Sequence, residues 1–227
     1  RARAYEREGW YEECKLLKEH LEQIYGITIT DDDLRAAARQ RNRLRRAQLA
    51  LFSLQEQQPP VISGVELMST MFAGTFNFDV AAYTENLEKL YEERRAEAGK
   101  NGSKVDPTAK RVLLTGCPVG GVINKIGRTV ETNGGVIVCQ DDCAGERTAR
   151  MMVDEDADDI LRAIADRYLE INCAVMTPNE GRFENTLGMI EKYHVDGVIE
   201  SVLQACHPFN VESSKMERAV EGVGIPY

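Results

Sequence analysis

Three observations in the sequence predict an α/β fold, a parallel sheet preceded by a helical segment. The first half shows only the 3.6-residue periodicity of helices, and the second half alternates short apolar strands with helices. A turn-rich stretch from Lys100 to Pro107 separates them. Alternation with short connections builds parallel sheets of the flavodoxin-like or doubly wound kind. The expected division is a helical segment over 1–105 and a flavodoxin-like α/β domain over 106–227.

Trp10, Cys14, Leu17, Leu21 and Ile24 form one apolar helical stripe, which predicts a packed core thiol at Cys14 and a helix ended by Gly26. Thr30 and Asp33 make a capping box for a second helix running to about Gln57, broken by Pro59-Pro60. Shorter helices are expected over 64–71 and 79–98, the latter capped by Asn77 or Asp79. Beyond the linker, Val112 to Leu114 reads as a strand leading to Gly116-Cys117-Pro118. A helix from Val119 to Asn133 and a strand from Val136 to Cys139 follow. The acidic run at 154–159 reads as a helix N-terminus favoured by the macrodipole, the helix continuing to Leu169. Helices over 182–194 and 211–221 flank a third strand, Val198 to Leu203.

The chain opens on Arg1-Ala2-Arg3 and closes on Gly224-Ile225-Pro226-Tyr227, which reads as the start of a strand, so a piece cut at both ends is expected. Its 227 residues carry a net charge of −9. Of this, −1 falls in residues 1–110 and −8 in 111–227. A half so acidic is a poor partner for phosphate backbones, which excludes nucleic acid as its ligand. Charged residues interrupt every apolar run short of the ~18 residues a membrane helix needs. The exception to the acidity is Arg35, Arg39, Arg41, Arg43, Arg45 and Arg46. Arg35, Arg39, Arg43 and Arg46 share a helical face, either solvated or open to an anion or acidic partner.

Five of the six cysteines lie in the acidic half. Cys117, Cys139, Cys143 and Cys206 fall at strand ends, where open α/β sheets bind their ligands, and Cys173 follows a helix. A chain this long needs no disulfide staples. A zinc site could use Cys139, Cys143 and Cys206 with His207 or His194, though C-x3-C is a weak spacing. An iron–sulfur cluster accepts thiolates scattered over several loops and is favoured. Gly116 and Gly120, with Gly121, lie between strand and helix, where backbone N–H groups could cradle a phosphate or a cluster sulfide; a tight turn explains them equally well.

Thr115-Gly-Cys-Pro118, Cys143-Ala-Gly145, Met176-Thr-Pro-Asn-x-Gly-Arg182 and Gln204-Ala-Cys-His207 followed by Asn210-x-Glu212-Ser213 carry a resemblance. Together they resemble the 2-hydroxyacyl-CoA dehydratase and benzoyl-CoA reductase superfamily, most closely its double-cubane cluster branch. Ile29 to Leu34, Asn42, Pro60 and Ile62-Ser-Gly64 extend the likeness through the helical half. The resemblance implies the second of two flavodoxin-like domains in a cytoplasmic protein of anaerobic metabolism. It implies a cluster, double-cubane 8Fe–9S or 4Fe–4S, with Cys117, Cys143, Cys173 and Cys206 among its ligands. Cys206 would match the single dehydratase ligand of this domain, and Cys139 would be spare. Gly116, Gly120 and Gly145 would lie against the cofactor. Read from the residues, His207 either donates a proton, with Gln204 nearby as a hydrogen-bonding group, or packs beside the ligand loop, and Glu146 and Arg147 either orient the loop or pair with each other. Also implied are an ATP-hydrolysing iron–sulfur activator protein, a homodimer or heterodimer, and a small-molecule or acyl-CoA substrate. Low-potential one-electron transfer is the implied activity, with radical water elimination as the dehydratase variant. A reading of another class is a zinc- or disulfide-stabilised α/β interaction domain whose basic helix docks an acidic partner.

Overall fold

The computed structural model describes residues 3–118, 120 and 123–227. The predicted helix start at Val119 and the predicted cradle residue Gly121 lie outside them. Helices α1 (Ala4–Tyr25), α2 (Asp31–Ser53), α3 (Gly64–Ala73) and α4 (Val80–Asn101) come first, with a 3-10 turn at Gly74–Phe76. Then follow β1 (Lys110–Gly116), α5 (Ile123–Thr132), β2 (Gly135–Asp141), α6 (Glu146–Ala149), α7 (Ile160–Leu169), α8 (Glu180–Lys192), β3 (Gly197–Ser201) and α9 (His207–Glu221).

The strands form one parallel sheet in the order β2-β1-β3, a flavodoxin-like α/β arrangement. Successive strand side chains face opposite ways. Leu113 therefore packs with Phe183, Met189, Met216 and Val220 of α8 and α9. Its neighbour Leu114 packs on the other face with Ile123 of α5 and Met68 of α3. A helix of the first half thus covers the sheet, and so closely that a Cβ on Gly64 would stand 2.4 Å from the Ile137 carbonyl oxygen. Leu51, Phe52, Leu67, Met71 and Leu87 build a second core between α2, α3 and α4.

Caps fall where short polar side chains satisfy orphan N–H groups. Thr30 Oγ1 accepts from the Asp33 N–H (3.2 Å), Ser63 Oγ from Glu66 (3.1 Å) and Asp79 Oδ1 from Ala82 (3.0 Å). Helix α1 is less buried than its stripe predicts. None of its residues is buried, and Cys14 is a half-buried thiol rather than core. The helix rests on α7 through polar contacts such as Arg7–Glu170 (2.7 Å) and the Trp10 Nε1–H to the Ala165 carbonyl (3.1 Å).

The acidic run corrects a second expectation. Helix α7 begins at Ile160 with Asp159 as its cap, and residues 154–158 form an irregular segment laid against α2. Asn42 Nδ2 donates to Glu155 Oε1 (2.7 Å) and to the Val153 carbonyl (2.8 Å), and Arg46 donates to Glu155 (2.9 Å). Arg35 reaches the carbonyls of Glu155 and Ala157, and Arg43 pairs with Glu88 (2.6 Å). The arginine face thus meets acidic and carbonyl partners within its own chain. The Asn42 hydrogen bond holds the Glu155 carboxyl below its ordinary value of 4.5; burial opposes it, and Arg46 and then Arg39 add to the lowering. A lowered carboxyl contributes stability that is complete above the ordinary value and fades as pH falls through the lowered one. Glu155→Gln should therefore flatten this acid limb of a denaturation-against-pH curve; an unchanged limb would show that the clamp adds nothing.

Helix α9 begins four residues before the expected Val211, because Pro208 suits a first helical turn and Cys206 serves as the N-cap residue. The closing segment lies beside β3, where the Val198 N–H donates to the Pro226 carbonyl (2.9 Å). Among the described residues no helix is long and apolar enough to cross a membrane.

Candidate functional site

The carboxyl ends of the three strands carry the cysteine-bearing loops. At the end of β1, Gly116 sits in the left-handed region (φ +113°), and the Cys117 N–H donates to the Ser201 carbonyl of β3 (2.8 Å). Cys117 is buried beside Ala174, Phe209 and Cys206. The Leu203 N–H points at its Sγ (3.5 Å). Burial pushes the Cys117 thiol up, the Leu203 N–H opposes this, and a hydrogen bond with Cys206 adds to it. Cys206 follows Ala205, a non-glycine residue held at φ +64°. Strain of this kind persists where the surrounding structure over-determines a loop.

Cys143 is exposed in the loop after β2. Asp142 Oδ1 shapes that loop by accepting from the Ala144 and Gly145 N–H groups (2.8 Å each). Partial burial pushes the Cys143 thiol up, Arg147 pulls it down, and Asp142 and then Cys173 push it up. The Cys173 carbonyl accepts from Asn179 Nδ2 (3.0 Å). Cys117 thus lies beside Cys206, and Cys173 is near enough to Cys143 for its charge to act on it. Among the described residues no three His, Cys, Asp or Glu side chains converge as ligands of a single metal ion.

Beneath the rim lies a layer of buried charge. Arg182, fully buried, donates to Glu200 (2.6 Å), Glu212 (2.8 Å) and Thr115 Oγ1 (3.4 Å). Asn179 also reaches Glu212 (2.9 Å). Arg147 pairs with Asp141 (3.1 Å). Both guanidinium groups lie over the Phe209 ring, at 4.7 Å for Arg182 and 5.6 Å for Arg147. Among the described residues, Arg147 Nη1 and Arg182 Nε are buried without a hydrogen-bond partner. Arg182 thus ties together the end of β1 before Cys117, the Cys173 loop through Asn179 and Glu212, and the helix opened by Cys206. Sequence reasoning missed Asp141 and Glu200 and met Thr115, Asn179, Arg182 and Glu212 only as letters in motifs. A signal was present, since charged residues at the ends of apolar strands are costly unless paired.

Other expected residues stand apart from the rim or serve its packing. Strand β2 runs two residues beyond Cys139 and places that thiol inside the core, where burial pushes it well up. A Cβ on Gly120 would strike the Phe72 ring, and one on Gly145 would lie 1.9 Å from the Gln140 carbonyl oxygen, so both allow the chain to approach itself. Glu146 bonds the Tyr193 hydroxyl and faces Lys192 (3.5 Å) rather than Arg147. His207 and Gln204 are exposed and make no side-chain hydrogen bond among the described residues. His194 and His20 lie away from the rim, in the turn after α8 and on α1.

The model of the family described as 2-hydroxyglutaryl-CoA dehydratase, D-component, matches residues 2–227. The chain belongs to this family. It is 36% identical over 96% of its length to "Putative dehydratase subunit YjiM" of Escherichia coli (strain K12), covering 56% of that protein. It is 26% identical to the beta subunit of (R)-2-hydroxyglutaryl-CoA dehydratase of Acidaminococcus fermentans, with 96% and 56% coverage. It is 24% identical to the beta subunit of (R)-phenyllactyl-CoA dehydratase of Clostridium sporogenes, with 94% and 55% coverage. The chain spans a little over half the length of these relatives. In this dehydratase family member, the four motifs singled out in the sequence meet at one rim.

Proposed function

We propose that this dehydratase-family chain is the cluster-bearing part of an iron–sulfur reductase or dehydratase subunit that handles single electrons at low potential. The observation that carries the reading is the convergence of Cys117, Cys143, Cys173 and Cys206 on loops at one sheet rim, over the buried Arg182 and Arg147 pairs. The donor set fits a cluster. Four thiols on separate loops suit a wide template better than one tetrahedral ion.

Cys117, Cys143 and Cys173 would hold one cubane, and Cys206 would join ligands from outside this chain on another. When bound, the group supplies low-potential electrons. The chain's own residues provide thiolates, a rim fixed by Arg182, and an acidic surround that disfavours added negative charge. His207, exposed at the opening of α9, delivers the proton, and Gln204 hydrogen-bonds the substrate. An ATP-hydrolysing iron–sulfur activator supplies the electron, and the subunit works as a homodimer or heterodimer on a small-molecule or acyl-CoA substrate. The names of the two dehydratase beta subunits favour water elimination as the second reading, which in this proposal runs through a radical.

Anaerobic purification of the complete gene product tests this. About eight irons per chain select the double cubane and about four the dehydratase type; colourless protein with zinc or no metal overturns both. Cys139→Ala should leave iron content unchanged, because that thiol lies in the core. Loss of half the iron would overturn the ligand assignment.

A further inference from the structure

All six cysteines carry free thiols, and two of them meet inside the fold. Cys117 is walled by Ala174 and the Phe209 ring, with Val202 and Cys206 packed against the same cluster. The chain leaving β3 wraps this residue at three points. The Ser201 carbonyl accepts from the Cys117 N–H (2.8 Å), the Leu203 N–H points at Cys117 Sγ (3.5 Å), and Cys206 shares a hydrogen bond with that thiol. A turn closes the wrap, since the Cys206 N–H donates to the Leu203 carbonyl (3.0 Å). The Cys206 carbonyl accepts from the Asn210 N–H (3.1 Å), which fastens the turn to the start of α9.

The two thiols differ in access. Cys206 is half-buried between the exposed Ala205 and His207, so solvent reaches it, whereas Cys117 is only 2% exposed. The remaining cysteines lack such a pairing. Cys139 is sealed among Val138, Tyr193 and Met189, and Cys14 stands half-buried on α1. Cys143 is exposed in a loop that Asp142 shapes, and among the described residues it shares no hydrogen bond with a second thiol.

We infer that Cys206 and Cys117 form a reversible thiol-oxidation site: in the metal-free protein a peroxide oxidises Cys206, and Cys117 closes a disulfide with it. In the first step the Cys206 sulfur takes one peroxide oxygen, the O–O bond breaks, and water leaves with a sulfenic acid in place of the thiol. In the second the Cys117 sulfur attacks the Cys206 sulfur, the S–S bond forms, the S–O bond breaks, and a second water carries off the Cys117 proton. Two thiols thereby lose two electrons and two protons to one peroxide. The fold holds the resolving sulfur beside the attacked one, so the second step is intramolecular and outpaces further oxidation. A dithiol reverses the process by exchange and is itself left as a disulfide. The link keeps Cys206 from the irreversible sulfinic and sulfonic acids. It also withdraws two thiols from any cluster, and this lockout rests on the function proposed above, whereas the disulfide itself does not.

The test treats the complete gene product, freed of metal by a chelator without air, with stoichiometric hydrogen peroxide and maps its peptides by mass spectrometry. A peptide pair joined through Cys117 and Cys206 should be the main cross-link, and a dithiol should release it. In Cys117→Ser the Cys206 sulfenic acid should persist and be captured by dimedone. In Cys206→Ser the buried Cys117 should react about tenfold more slowly than Cys206 does in the wild type. Cys14→Ser and Cys139→Ala should leave the link unchanged. A wild-type map in which Cys206 joins another thiol, Cys143 joins Cys173 first, or Cys206 ends as sulfinic acid would overturn the pairing, and it requires no variant to fold. Reconstitution with iron and sulfide before and after dithiol release reads the lockout. Uptake only after release supports it, and equal uptake by both forms overturns it. Uptake by neither form overturns the cluster reading and the lockout with it, and leaves the mapped disulfide standing.

Discussion

Replacing Arg182 by methionine is expected to cost about 3–5 kcal/mol of folding free energy, the usual consequence of removing one member of a buried ion network. The side chain is fully buried, and so nearly are its partners, Glu200 at 4% and Glu212 at 14% exposure. Methionine fills much of the volume but leaves both carboxylates without their cation. Arg182→Lys should recover only part of the loss, because one ammonium cannot reach Glu200, Glu212 and Thr115 as the planar fork does. Arg182→Met combined with Glu212→Gln removes one of the stranded charges and should regain stability over the single variant. Urea denaturation measures all three. A cost under about 1 kcal/mol would place these pairs with ordinary surface salt bridges and deny the layer its role. Iron content should fall with Arg182→Met, since three cysteine-bearing segments lose their common tie.

What the sequence disclosed was mostly local. The capping of α2 by Thr30 and Asp33 and the alternation that makes the sheet parallel depend on residues a few positions apart. Strand ends also placed Cys117, Cys143 and Cys206 on one rim without reference to distant partners. The misses share a cause. The acidic run resembled a helix start, yet Glu155 is drawn to Asn42 and Arg46, more than a hundred residues away. The α1 stripe marks which face is apolar, but periodicity cannot say whether anything covers it. Arg182 meets Thr115 across 67 residues and Glu212 across 30, separations with no local period. The arginine face drew attention to Arg35, Arg39, Arg43 and Arg46, and the geometry occupies those with Glu155, Glu88 and carbonyls that no local period marks.

The second large effect is expected at Gly116, where alanine meets two separate penalties. The backbone lies at φ +113°, a conformation costing a side-chain-bearing residue about 1–3 kcal/mol. A Cβ there would also stand 2.3 Å from the Ser201 carbonyl oxygen, which is backbone and already accepts from the Cys117 N–H. Neither neighbour is a flexible side chain, so β1 and β3 must part at their last paired residues, Gly116 and Ser201. Gly134 separates the two penalties. It too has a positive φ, +81°, but its Cβ would meet nothing within 4 Å. Gly134→Ala should therefore carry the backbone cost alone, and Gly116→Ala clearly more. The difference between their urea stabilities reports the closeness of the strand ends. Gly116→Ala should also displace Cys117 and lower iron content, while Gly134→Ala, at the opposite end of the sheet, retains it. Equal stabilities with equal iron would mean that β1 and β3 need not close at this point and that Cys117 is not held by their junction.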